Sequence, residues 1–459
     1  MILKKEVYFL SEKRKNSTKF KHVKRVLVYP LKKFVQTNSL SGNLLLLALV
    51  MGLVWANSDY QHQYHILWHE TYAGITLGEY SLNMNLHHWI NDGLMTIFFF
   101  LVGLEIKREL LVGELSVARK ALFPVAAAFG GMMAPAIVFL LFQSAGSETI
   151  RGWAIPTATD IAFAIGILSL LGNRVPIALK VFLTALAIVD DIGAILLIGI
   201  FYSAAPSWGY LSLAIIIVAI MFCLNRAGVR NLLFYQILSV ILWFVVLSSG
   251  VHATLAGVVA AFTIPVQGKI SKKSAAKKSS KLADQLNDLS TSSKEVLGDA
   301  MYHSVLSQMS NLYKQAGTPL QRMEHRIHSL VSYFILPLFA LANSGITIDP
   351  KMIGGVLDAL SLGIIFGLCI GKPIGIVTIC WVLEKLNFAE RPDNISWQQL
   401  WASGCFAGIG FTMSIFIAGL AFDNAFFLNQ SKLSIIIASF FSTVLGTVLL
   451  LSSKDKVES

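Results

Sequence analysis

Two adjacent aspartates, Asp190 and Asp191, stand in 187-AIVDDIGAILL-197, a stretch with no other polar side chain. From Ile177 to Ile200 the only other charged residue is Lys180. Asp160 in 154-AIPTATDIAFAIG-166, Lys372 in 369-CIGKPIGI-376 and Asp92 in 89-WINDGLMTIFFFLVGLE-105 are set in equally apolar surroundings. A carboxylate taken out of water needs a counter-charge, a proton or a bound cation. Where such a segment crosses a bilayer, each ionised side chain costs roughly 2.5–3.5 kcal/mol even on the most lenient scale, so these groups are kept paired and for function. A single aspartate–lysine pair would do no more than lock two helices. Here the carboxylates outnumber the lysine, and the excess negative charge asks for a mobile cation or protons. Transport accounts for that better than a lock.

The elements that position these charges are membrane helices. Of the 459 residues, 55% are hydrophobic and only 14% charged, too apolar for a soluble protein of this length. A helix crosses the hydrocarbon layer with roughly 20 mainly apolar residues. About twelve such stretches start near Gly42, Leu86, Ala121, Gly152, Ile177, Leu211, Leu232, Val251, Ile327, Val356, Gln398 and Leu433. They do not alternate, which excludes a β-barrel. With a cytoplasmic N-terminus and twelve spans, 33 of the 37 Lys and Arg fall on the cytoplasmic side. Arg151, Lys351 and Lys432 face out, and Lys372 falls inside a span. This is the positive-inside distribution, and it puts both termini in the cytoplasm.

The expected organisation is a basic cytoplasmic tail (1–40), spans one to eight (41–265), a basic polar loop (266–320), spans nine to twelve (321–452) and a short tail (453–459). The net charge of +11 collects in 13-KRK-15, 19-KFKHVKR-25 and 269-KISKKSAAKKSSK-281. Beside membrane spans these read as orientation signals that touch anionic lipid, with no nucleic-acid partner. The loop opens with a linker's composition, and 294-KEVLGDAMYHSVLSQMSNLYKQ-315 has the pattern of a loose amphipathic helix. No cleavable signal peptide is expected, because about 40 mostly polar residues precede the first apolar run. Cys223, Cys369, Cys380 and Cys405 lack metal-ligand spacing and read as small core residues. No cofactor is implied.

Two spans carry signs of interruption. Pro156 lacks an amide hydrogen and clashes with the preceding turn, and Thr157, Ala158 and Thr159 hold a helix weakly, so a break is expected near 156-PTATD-160. In 408-GIGFTMS-414, Gly408 and Gly410 favour irregular backbone, while Thr412 and Ser414 can satisfy freed groups. Half-helices that meet present partial positive charge at amino ends and partial negative charge at carboxyl ends. Asp160 is expected to offset the first and Lys372 the second.

The strings 154-AIPTATDIAFAIG-166, 185-ALAIVDDIGAI-195, 249-SGVHATLAG-257, 370-IGKPIGI-376 and 408-GIGFTMSIFIA-418 closely resemble the NhaA-type sodium/proton antiporters. The resemblance runs from about Ser41 to the last span; the long basic tail and the expanded loop from Lys269 to about Gly317 depart from it. It implies an all-α protein of about twelve spans, with spans three to five related to ten to twelve by inversion and crossed broken helices at Asp160 and Thr412. Inverted repeats are known of NhaA itself and come with the resemblance, not from these residues. The resemblance further implies Asp190 and Asp191 as the cation and proton site, Lys372 as counter-ion of Asp190, and Asp160 with Thr159 compensating the helix ends. Glu105, Glu324, His325 and His328, at cytoplasmic span ends, are then candidates for the response to pH. His252, at a helix start, is a further candidate, and Asp92 is placed near the cytoplasmic funnel.

Neighbouring helical positions point about 100° apart, so Asp191 can line the ion path while Asp190 faces Lys372. Such a dyad titrates as a coupled pair. Sodium and protons compete for it, and alternating access turns competition into exchange. With the resemblance, this implies electrogenic exchange of cytoplasmic sodium or lithium for external protons in a bacterial inner membrane, by a homodimer serving pH and sodium homeostasis. A sodium-coupled solute symporter of related fold is the first alternative. An intramembrane aspartic protease is another, but it would place its two aspartates on separate helices. A channel would need neither Lys372 nor a coupled dyad.

Overall fold

The computed structural model describes residues 40–453, apart from 78–79, 204, 269, 291–299, 349–353, 390 and 393–394. The basic tail and its expected lipid contact lie outside the described residues, as do Lys269, Lys294, Lys351 and the chain from 454. In chain order the first helices are α1 (Leu40–Ala56), α2 (Leu86–Val112), α3 (Ala118–Phe142), the broken pair α4a (Glu148–Thr157) and α4b (Ile161–Leu170), and α5 (Ile177–Phe201). Next come α6 (Trp208–Arg226), α7 (Leu232–Leu247), α8 (Thr254–Thr263), α9 (Lys272–Ser290) and α10 (Ala300–Ala316). Last are α11 (Pro319–Asn343), α12 (Ala359–Lys385), a second broken pair α13a (Trp397–Ala407) and α13b (Phe411–Ala421), and α14 (Ala425–Ser452).

Among the described residues seven helices (α2, α3, α5, α6, α11, α12 and α14) are long and apolar enough to cross a bilayer. The two broken pairs, bent by 42° and 44°, raise the number to nine, and α1, α7 and α8 are shorter apolar helices of 10–17 residues. The protein is an all-helical polytopic membrane protein with interrupted spans. One local departure is a two-stranded antiparallel hairpin before α2, β1 (Tyr72–Leu77) and β2 (Tyr80–Asn85), with Tyr72 opposite Asn85. It is held to α2 by the Trp89 indole, which donates to the Ala73 carbonyl at 2.8 Å.

The chain forms two compact units, and the division along α5 falls between Asp190 and Asp191. The first unit holds α1, most of α3, α4a, α4b, the start of α5, the end of α11, and α12 to α14. Its packing depends on small residues, as membrane helices require for close approach. Gly367, Gly371 and Gly375 repeat every four residues along one face of α12. A side chain at Gly371 would overlap the Pro135 backbone of α3, and one at Gly375 the Gly130 carbonyl. Lys372, beside this face, is fully buried, its Cε near Gly131 of α3. A π-helical turn, Gly367–Gly371, precedes Lys372 and Pro373. Proline cannot donate to the preceding turn and clashes with it, and a widened turn accommodates this. The same device recurs in α11, where the π turn Val331–Ile335 precedes Pro337.

The second unit holds the hairpin, α2, the rest of α5, α6 to α10 and most of α11. Its core joins Phe100 and Leu104 of α2 to Met221 of α6, Tyr235 and Leu242 of α7, and Ala260 of α8. Gly257 of α8 lies against the Thr96 carbonyl, again a close helix approach. The stretch expected as a linker is helical instead. Lys272–Ser290 contains neither Gly nor Pro and is rich in Ala, Lys and Leu, which favour helix. Its helix, α9, packs on α10, and Leu282 and Val305 are buried.

Candidate functional site

The broken spans create the site's framework. After α4a the backbone turns extended at Ala158 (φ −86°, ψ 149°) and at Asp160 (φ −88°, ψ 94°) before α4b begins. Pro156 lies in the last turn of α4a, a 3-10 turn, just ahead of this break. The second break, Gly408 to Gly410, keeps ordinary negative φ at both glycines (−69° and −91°). The expected break is present, and neither glycine needs positive φ for it. They are needed for space: a Cβ at Gly408 would overlap the Leu368 carbonyl, and one at Gly410 the Ser414 hydroxyl.

Each break leaves backbone groups that must find partners inside the protein. At the carboxyl end of α4a, the Thr157 carbonyl accepts from Lys372 Nζ, and the Ile155 carbonyl accepts from Ser414 Oγ at 2.8 Å. At the end of α13a, the Ala407 carbonyl lies 2.8 Å from Thr159 Oγ1. At the amino ends, Asp160 serves both half-helices. Its Oδ1 accepts from the Phe163 amide of α4b at 2.9 Å, and its Oδ2 accepts from the Thr412 amide of α13b at 3.0 Å and from the Thr412 hydroxyl. The Asp160 amide in turn donates to the Ile409 carbonyl at 2.7 Å. One carboxylate thus sits at two helix amino ends, where partial positive charge gathers.

Asp190 lies on α5 against this framework. Its Oδ2 accepts from Lys372 Nζ and from Thr159 Oγ1, both at 2.7 Å, and neither Asp190 nor Lys372 exposes any of its side chain. Its Oδ1 is buried and, among the described residues, has no hydrogen-bond partner. An oxygen left so would be costly without a function. Asp191, next along the same helix and about 100° round it, is 2% exposed. The Thr159 hydroxyl has one proton and two acceptors within reach, the Asp190 carboxylate and the Ala407 carbonyl. It bonds one of them at a time.

The second unit carries the other candidates. Glu324 is buried and paired with Arg108, whose other nitrogen bonds Glu109 Oε1 at 3.0 Å. Glu105, half-buried, lies within electrostatic range of the same guanidinium, and His328 is half-buried one turn beyond Glu324. His325 is exposed. Lys107 caps α8, giving bonds of 2.6 Å to the carbonyls of Phe262 and Ile264. Sequence reasoning counted Lys107 and Arg108 only as orientation charges. The one signal it passed over was that Glu105 and Glu109 bracket Arg108 on a helix.

His252 does not join this cluster. It sits before the start of α8, with Nε2 donating to the Tyr202 carbonyl at 2.6 Å. Asp92 also lies away from it. Thirteen helical residues, about 20 Å, separate Asp92 from Glu105 along α2. Asp92 lies instead in a π turn at the hairpin end of α2, 3.9 Å from His88.

The family described as "Na+/H+ antiporter 1" matches residues 32–450. The "Na(+)/H(+) antiporter NhaA" of Oleidesulfovibrio alaskensis is 45% identical over 424 residues, 92% of this chain and 94% of that protein. The protein of the same name from Wolinella succinogenes is 45% identical over 417 residues, covering 90% and 91%. That of Helicobacter pylori strain G27 is 43% identical over 432 residues, covering 94% and 97%. The chain therefore belongs to the NhaA family of Na+/H+ antiporters, and is a multi-pass membrane transporter and not an enzyme.

Proposed function

We propose that the protein exchanges cytoplasmic sodium or lithium for external protons, with Asp190 and Asp191 as the shared binding site. The observation that carries this reading is the buried Asp190 carboxylate, one oxygen held by Lys372 and Thr159 and the other without a partner among the described residues, beside buried Asp191. Burial disfavours a bare carboxylate. The dyad's negative charge therefore has to be offset by Lys372 and by either a sodium ion or protons. Carboxylate oxygens suit a hard cation. Asp191 lines the ion path and Lys372 acts as counter-ion to Asp190. Protons and sodium exclude each other there, and access alternating between the two sides couples their movements.

Two carboxylates and a lysine allow more protons than sodium ions to move per cycle, which makes exchange electrogenic. Each net charge then gains about 2.3 kcal/mol per 100 mV of membrane potential. Glu105, Glu324, His325 and His328 set the response to pH, both termini face the cytoplasm of a bacterial inner membrane, and the working unit is a homodimer. Everted vesicles with an acid interior test the reading through a fluorescent probe of the pH gradient. Sodium or lithium should dequench it without any other solute, more strongly than potassium and more at alkaline pH. A response that needs an organic solute would assign symport, and no response to either ion would end the proposal.

A further inference from the structure

The helical pair between α8 and α11 carries none of the residues proposed for exchange, yet its charge is ordered. α9 opens with Lys272, Lys273, Lys277, Lys278 and Lys281, all exposed, and carries no acidic residue before Asp284. Lys273, Lys277 and Lys281 repeat every four residues and so share one helix face. Leu282, Leu286 and Leu289 are buried or half-buried on the other side, and α9 packs against α10. The pair is not a free tether. The Leu320 amide donates to the Pro265 carbonyl at 3.2 Å, and a Cβ on Gly268 would lie only 2.8 Å from the Ala316 carbonyl. Entry and exit of the pair are thus fixed together where α8 ends and α11 begins. The lysine face is about 12 Å long at 1.5 Å per residue, and it starts a short connector away from a membrane helix. Electrostatic attraction to a charged bilayer acts over about 8–10 Å at ordinary ionic strength.

We propose that the Lys273–Lys277–Lys281 face of α9 docks on anionic phospholipid headgroups of the membrane that holds the protein. Three lysines on one face, ahead of Asp284 and Asp288 where that face continues toward the end of the helix, match a negative lipid surface in charge. The leucine stripe leaves this face, not the apolar one, turned away from α10. Lipid contact would stabilise α9 against local opening, by mass action on its folded form.

Hydrogen exchange of the full-length protein in nanodiscs tests this without measuring transport. Backbone amides of α9 should exchange at least about tenfold more slowly in discs with one-third anionic phospholipid than in zwitterionic discs, since each lysine near such a surface adds to binding. High choline chloride should remove the difference, and Lys273→Gln/Lys277→Gln/Lys281→Gln should not show it. Equal rates in both lipids would overturn the proposal, as would slowing that survives in the triple variant. Equal slowing by soluble polyphosphate in zwitterionic discs would assign the face to soluble polyanions instead, and overturn it too.

Discussion

At the scale of single residues the proposed chemistry rests on three charges with different tasks. Asp190→Asn and Asp191→Asn should each abolish sodium/proton exchange, measured in everted vesicles, while the protein stays in the membrane at normal amounts. Neutralising a buried charge eases insertion, so lost expression would mark the aspartates as structural, and retained exchange in Asp191→Asn would remove the central claim. Lys372→Gln should act differently. Without the ammonium, the Asp190 anion loses its partner and the Thr157 carbonyl its donor. Breaking a buried pair from one side costs about 3–5 kcal/mol, so thermal stability should fall. The anionic dyad is then reached only at higher pH, so the exchange profile should move to the alkaline side. An unchanged profile with unchanged melting would contradict the pairing. The charged residues of this group were legible in the sequence because a charge in an apolar run stands out without any fold. Arg108 and Lys107 were not, because their partners Glu324, Phe262 and Ile264 are more than 150 positions away.

At the scale of elements, sequence reading did well where a span is interrupted and poorly where a connection is structured. Pro156 marks the first break because proline acts locally, and the Gly408–Gly410 pair marks the second although what those glycines supply is space. What closes those breaks is not local: Asp160 bonds Thr412 and Thr159 meets Ala407 across about 250 positions, and only the fold brings them together. The hairpin at Tyr72–Asn85 was missed because six-residue strands with one partner leave little pattern. α9 was read as a linker from its serines and lysines, which say that it is solvated but not that it is irregular. Since the ends of the α9–α10 pair nearly touch at Gly268 and Ala316, removing Lys272 to Gln315 leaves a gap that a short bridge closes at little entropic cost. That deletion should leave exchange intact, with changes confined to pH response or membrane-surface contact. A well-expressed deletion without any exchange would show that the pair belongs to the transport machinery.

For the molecule as a whole, the question is whether pH acts through the transport site or through a separate switch such as the Arg108–Glu324 cluster. If sodium and protons compete for one coupled pair, acidification must weaken apparent sodium affinity and leave the maximal rate largely unchanged at saturating sodium. The pair binds up to two protons, and each displaced proton contributes a factor of about ten per pH unit below its macroscopic pKa. The logarithm of affinity plotted against pH should then rise with a slope between about one and two and flatten at high pH. A switch acting at a distance gives the other pattern, with the maximal rate collapsing in acid while affinity holds. The two also differ without a membrane. Competition requires sodium binding to detergent-solubilised protein to release protons, and Asp190→Asn/Asp191→Asn to release none. Isothermal titration in buffers of different ionisation enthalpy reads that release directly. Sodium binding with no proton release between about pH 6 and 9, where a dyad of this kind has to work, would exclude competition as the coupling step. Proton release that persists in the double variant would instead move the coupling to other titrating groups, with the Glu105–Glu324 cluster the next to neutralise.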